Sequence, residues 1–161
     1  MKKRSLYIVD YMLTPEKRID HAAVLCEDTR ILALGGISSF AQEPNIEIFE
    51  FSNAYLTPGF VDTHIHGAGG FDCSSVDNSP RKLEDMSRIL TERGVTTFIP
   101  TVVADRADRM LDNLAKLSRL MDAPLPGAEA TMINLEGPFI NPLKRGAQDE
   151  SAILPIDLGF A

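Results

Sequence analysis

The sequence lacks most of the covalent and compositional devices that narrow a protein's setting. It has only two cysteines in 161 residues, Cys26 and Cys73. They lie far apart and without Cys-x-x-Cys spacing, which excludes both a disulfide framework and a thiolate zinc site. A reducing, cytoplasmic compartment is therefore expected, with each cysteine acting as a small buried hydrophobe. No stretch approaches the roughly 18 apolar residues of a membrane span. The N-terminus, MKKRSLYIVDYML, opens on a basic cluster, but Asp10 interrupts its apolar run and no small-residue cleavage site follows, so a signal peptide is not expected. Positive charge is also short, with 16 Lys and Arg against 23 Asp and Glu and a net charge of −7. That argues against nucleic acid or an anionic membrane as the main partner. Internal repeats and low-complexity tracts are absent. What is present is ordinary globular composition, 44% hydrophobic and 24% charged, enough for a domain with a real core.

From residue 5 to 56, short β-rich runs alternate with turn signals. SLYIVDYML, AAVLCED, RILALGG and IEIFEFSNAYL are separated by TPEKRID, by Gly35-Gly36 and by the polar AQEPN. This predicts a small β-meander, part of a sandwich, over residues 1–57. After Thr57 the texture changes to strand-like runs alternating with helical periodicity. FVDTHIH follows Pro58-Gly59, and Pro80 to Arg93 then carries Leu83, Met86, Ile89 and Leu90 on one face before Gly94 stops it. VTTFIPTVV reads as a second strand. Asp105 to Met121 reads as a second helix, with Met110, Leu111, Leu114, Leu117 and Met121 forming one stripe and Pro124 and Pro126 ending it. ATMINLEG reads as a third strand, followed by a polar loop. The fold class is α/β, and residues 58–161 are expected to form βα units on a parallel sheet. A closed eight-stranded barrel needs about 250 residues, so about three of its strands fit here and the third would present an open edge.

Successive side chains of a strand point to opposite faces, so Asp62, His64 and His66 share one face of FVDTHIH and Val61, Thr63 and Ile65 the other. Active sites of parallel barrels lie at the C-terminal strand ends, where two imidazoles suit a borderline divalent ion such as Zn²⁺ or Fe²⁺. His-x-His spacing alone more often marks surface or core histidines than a metal pair. Its place after Pro-Gly, where the meander gives way to βα units, favours a metal pair. The Gly67-Ala68-Gly69-Gly70 run either lets the backbone pass close to the strand end or is a plain flexible loop. Glu136, ending the third strand in NLEGPF, is a candidate ligand in the same layer, although a glutamate so placed, taken alone, is more often simply loop-facing. His21, among the charged neighbours of RIDHAAV, is expected to be solvated and is given no role.

On these residues the chain resembles a known family. PGFVDTHIHG is similar to the first-strand signature of the amidohydrolase superfamily. HGAGGFD, then GVTTFIPT, then LEGPFINPLKRGAQ resemble, in order and spacing, the N-acetylglucosamine-6-phosphate deacetylases, and the motifs span residues 55 to 149. The resemblance implies a (β/α)8 TIM barrel, here its N-terminal part, preceded by part of a small β-sandwich domain. It implies that Glu136 is a principal metal ligand, that His64 and His66 belong to a second metal position present in some members and absent in others, and that one or two ions bind. It places Ala147 and Gln148 in the substrate loop and Asp62 behind the ligands, orienting the strand end. Asn134 departs from the pattern, since many members have a histidine there. The implied reaction is hydrolysis of N-acetylglucosamine 6-phosphate to glucosamine 6-phosphate and acetate, with an aspartate handling the proton. That aspartate, two further histidines and the phosphate-binding residues would lie beyond residue 161. The expectation is thus a cytoplasmic, truncated enzyme, inactive alone or completed by a C-terminal fragment, from a family resembling homodimers. The weighed alternatives are a non-catalytic remnant and another amidohydrolase acting on a different amide.

Overall fold

The computed structural model describes residues 3–40 and 46–159; the turn expected at AQEPN lies outside them. The chain divides into two compact units, Met1–Pro58 and Gly59–Ala161.

In the first unit, strands β1 (Arg4–Leu13), β2 (Arg18–Glu27), β3 (Arg30–Gly36) and β4 (Glu47–Leu56) form one sheet in the order β3-β2-β1-β4. The first three are an antiparallel meander, with Ser5 opposite Cys26 and Val24 opposite Leu34. The fourth departs from the meander expectation: β4 passes to the far side of β1 and runs parallel to it, Ser5 opposite Glu47 and Met12 opposite Leu56. A two-residue turn can only join antiparallel neighbours, so a longer connection is needed here, and a 3₁₀ turn at Ile37–Phe40 follows β3. Cross-strand stacking rewards this placement. Tyr7 lies over Phe49 with ring centroids 5.1 Å apart, and Tyr11 over Tyr55 at 5.3 Å. Alternate residues of β2 feed two clusters, Ala23 and Leu25 with Leu6 and Phe40, and Ala22 and Val24 with Val9 and Met12.

In the second unit, β5 (Phe60–Ile65) is followed by a hairpin of β6 (Gly67–Ala68) and β7 (Phe71–Asp72), then α1 (Pro80–Glu92), β8 (Val95–Val103) and α2 (Ala107–Met121). The expected third strand is broken into β9 (Glu129–Ala130) and β10 (Asn134–Glu136), both parallel to β8 on the side away from β5. Proline at the first position starts α1, and Gly94, with φ +81°, ends its final turn. The buried face of α1 is Leu83, Met86, Ser87 and Leu90, with Ile89 half-buried. That of α2 is Met110, Asn113 and Leu117. Leu111, expected in the stripe, is instead 53% exposed, because it is rotated by about 100° from Met110. Both helices cover the Phe98 and Val102 side of β8 and share a core with Phe71, Cys73 and Val76. This leaves the opposite side of β8, which carries Thr101, facing the strand ends.

Candidate metal centre

Strand alternation brings the predicted side chains together. His64 lies in β5, His66 just past its end, and Glu136 closes β10 across β8. His64 Nε2 and His66 Nε2 are 3.2 Å apart, and Glu136 Oε2 lies 3.4 Å from the first and 3.1 Å from the second. Among the described residues these three form the one group of His, Cys, Asp and Glu whose donor atoms converge in this way. Donors held about 2.0–2.1 Å from a tetrahedral ion are about 3.4 Å apart, and from an octahedral ion about 3.0 Å. The triangle falls in that interval. The three side chains are 39–51% exposed, so the site is open to solvent.

Hydrogen bonding outside the triangle decides what its atoms can do. His66 Nδ1 is 3.2 Å from the carbonyl oxygen of Thr101. A carbonyl only accepts, so Nδ1 of His66 carries the proton and its Nε2 presents a lone pair. That lone pair faces Glu136 Oε2 at 3.1 Å. Two acceptors at this distance repel unless a proton or a cation lies between them. The donor set therefore fits a divalent ion, with imidazole nitrogens and a carboxylate that suit Zn²⁺ or Fe²⁺.

The backbone around these residues is held by its neighbours. Asp62 stays outside the triangle, and its carboxylate accepts the His64 backbone N–H at 3.1 Å. The glycine run is not a loose connection. It forms the β6–β7 hairpin, from which Cys73 N–H donates to the His66 carbonyl at 2.8 Å. Gly67, with φ +154°, is required there because a Cβ would collide with the Phe71 carbonyl. Gly137, immediately after Glu136, has φ +112°, and a Cβ on it would come within 2.8 Å of Ala104 Cβ. Gln148, read as a substrate contact, has its amide oxygen accepting from Ala104 N–H at 2.9 Å, which fastens the 137–148 loop to the end of β8. Ala147 beside it is exposed. His21 is exposed in the other unit, with φ +45°.

Sequence reasoning missed Thr101, whose carbonyl orients His66 and whose hydroxyl accepts from Asn134 Nδ2 at 3.3 Å. The alternation of β8 could have shown it, since Thr97, Ile99 and Thr101 share the face away from Phe98. It also missed two buried polar anchors. Ser87 Oγ donates to Ala128 O at 2.8 Å and accepts from Gly127 N–H at 3.0 Å. Asn113 bridges Val76 N–H and Cys73 O. Each sits on an apolar helix face at core spacing, which is the signal available in the sequence.

No family model matches the chain. Among curated proteins it is 36% identical, over 70% of its length, to N-acetylglucosamine-6-phosphate deacetylase of Bacillus subtilis. It is 28% identical, over 84% of its length, to N-acetylgalactosamine-6-phosphate deacetylase of Escherichia coli O157:H7. Among solved structures, N-acetyl-D-glucosamine-6-phosphate deacetylase from Mycobacterium smegmatis superposes with a TM-score of 0.81 at 25% identity, over 97% of this chain. The chain spans 28% and 34% of the two curated relatives and 39% of the solved chain. The homologues that it matches in sequence and fold are hydrolases of the amidohydrolase superfamily. More narrowly, most of these curated relatives and the structural neighbour from Mycobacterium smegmatis are N-acetylglucosamine-6-phosphate deacetylases, and the chain matches a part of their length.

Proposed function

We propose that the chain contributes half of the metal centre of a deacetylase that hydrolyses the acetamide of N-acetylglucosamine 6-phosphate to glucosamine 6-phosphate and acetate. Residues 58–161 then supply the first three βα units of a (β/α)8 barrel, and residues 1–57 part of a β-sandwich domain. The observation that carries this reading is the convergence of His64 Nε2, His66 Nε2 and Glu136 Oε2 within 3.1–3.4 Å at the ends of parallel strands. A divalent ion, Zn²⁺ or Fe²⁺, would supply Lewis acidity there, polarising an amide carbonyl and making water nucleophilic near neutral pH. The chain's own residues prepare that position. Glu136 brings negative charge, and the Thr101 carbonyl keeps the His66 lone pair directed at it. Asp62 fixes the backbone of His64. Gln148 holds the loop carrying Ala147 against Ala104, beside Gly137 and hence next to Glu136, where that loop can contact a sugar. Among the described residues no further carboxylate or histidine reaches the triangle, so the general base must come from elsewhere.

The E. coli relative, which matches 84% of this chain, bears the name of the galacto epimer's deacetylase. That makes N-acetylgalactosamine 6-phosphate the competing substrate. The test measures acetate release from both sugars by the gene product carrying this region, with and without chelation, alongside zinc binding by the 161-residue chain. Chelator-sensitive turnover of the gluco substrate is expected, with the isolated chain binding zinc but not turning over. Glu136→Gln should weaken zinc binding at least tenfold. Metal-independent acetate release, or zinc binding unaffected by Glu136→Gln, would refute the assignment.

A further inference from the structure

The loop that follows Glu136 is built from two short 3₁₀ turns, at Pro142–Lys144 and at Glu150–Ala152. A polar side chain starts each of them: Asn141 Oδ1 accepts from Leu143 N–H at 2.9 Å, and Asp149 Oδ1 accepts from Ser151 N–H at 2.8 Å. The ends of the loop meet where Leu154 N–H donates to the Pro138 carbonyl at 3.0 Å. Between the turns Gly146, with φ +63°, reverses the chain, and Gln148 N–H donates to the Arg145 carbonyl at 3.3 Å. Ala147 and Gln148 are the tip of this reversal, and Arg145 stands at its foot. Arg145 also reaches both turns. Its Nη1 donates to the Pro142 carbonyl of the first at 3.4 Å, and its Nη2 lies 3.3 Å from Glu150 Oε2 of the second. Its Nε is the one buried side-chain nitrogen or oxygen among the described residues that has no hydrogen-bond partner. An unpaired buried donor is costly, so what keeps the guanidinium in this pose is its grip on the two turns.

The grip matters because of what the tip touches. Gln148 Oε1 accepts from Ala104 N–H at 2.9 Å, at the end of β8, and a Cβ on Gly137 would come within 3.1 Å of that same oxygen. Glu136 is the residue before Gly137. Resting on the deacetylase reading above, we propose that Arg145 is a positioning residue: it clasps the two turns together, so that Gln148 stays on Ala104 and the Ala147–Gln148 tip is presented beside Glu136. Arg145 and Glu150 side chains are 36% and 72% exposed, and an ion pair this open to solvent adds little to global stability. Its effect is local, in ordering one loop before a substrate arrives. Arginine suits the task because its planar fork spans two acceptors that a single ammonium cannot hold at once. The clasp works through the backbone of the loop, so its loss is felt in substrate binding and not in the chemical step.

Two measurements test this. The first is amide hydrogen exchange in the 161-residue chain, which needs no substrate. Exchange of the Ala104 amide should quicken about tenfold in Arg145→Ala. The neighbouring Val103 amide donates at 3.0 Å to Ser74 Oγ, which belongs to a different segment, and should exchange as in wild type. The second is steady-state kinetics of the gene product carrying this region on N-acetylglucosamine 6-phosphate. Arg145→Ala should raise KM about fivefold, with kcat within about twofold of wild type and zinc affinity unchanged. Arg145→Lys should keep most of the defect, and adding Glu150→Ala to Arg145→Ala should make it no worse. The proposal is overturned if Ala104 exchange is unaltered, if Val103 exchange quickens equally, or if kcat falls while KM holds. Wild type that releases acetate from neither sugar phosphate would sink the deacetylase reading and the substrate role of the loop with it, while turnover with unaltered Ala104 exchange sinks the clasp alone.

Discussion

Single residues in the second unit often serve two neighbours at once, and Cys73 shows why its burial matters. Its N–H holds the His66 carbonyl, while its thiol, fully buried beneath β5, lies 3.5 Å from the Ile65 carbonyl. Burial pushes the thiol from an ordinary value of 9.0 up to about 11. The folded chain therefore keeps this proton more tightly than the unfolded chain does. The resulting stability is complete below about pH 9 and drains away as the pH rises toward 11, on the order of 2 kcal/mol. Denaturant melts at pH 8 and pH 11 should show that loss in wild type and not in Cys73→Ala, whose cavity cost is independent of pH; equal losses would mean the thiol is not the group responsible. The burial of this cysteine was legible in the sequence as a small hydrophobe without a partner. Its contact with the His66 carbonyl was not, because that depends on a hairpin register.

At the scale of elements, periodicity located β5, β8, α1 and α2 within a residue or two, since a strand of period 2 and a helix of period 3.6 leave different apolar patterns. It failed where polar residues do core work. Asn113 occupies the inward face of α2 that Leu111 was expected to share, because its amide satisfies both Val76 N–H, at 2.8 Å, and Cys73 O, at 2.6 Å. Asn113→Ala should cost about 2 kcal/mol in an equilibrium melt by stranding both backbone groups in the interior. A loss below about 0.5 kcal/mol would mean that water replaces the amide. The break between β9 and β10 is of the same kind. Nothing in ATMINLEG marks it, since the interruption arises from how the segment meets β8, where Thr131 N–H still reaches Phe98 O at 3.4 Å.

At the largest scale, the described strands of the second unit form a short sheet centred on β8. Among the described residues β5 and β10 each pair only with β8, and the apolar side chains of Phe60, Val61 and Leu135 on those strands are 69%, 60% and 41% exposed. An open edge with apolar neighbours is a template for further strands. The 161-residue chain should therefore self-associate, its sedimentation coefficient rising between about 1 and 100 μM, and Val61→Lys should suppress the rise. A concentration-independent monomer would show that the edge is protected. No helix among the described residues is long and apolar enough to cross a membrane.

By itself the sequence determined the kinds of elements, their order, the face shared by Asp62, His64 and His66, and the resemblance carried by LEGPFINPLKRGAQ, because these depend on local spacing and on residue identity. Only the tertiary structure decided that β4 lies parallel to β1, that Glu136 meets both imidazoles, and that the Thr101 carbonyl faces His66 Nδ1. Those facts depend on which strands become neighbours and in what register, and a one-residue slip in register would turn every one of these side chains to the other face.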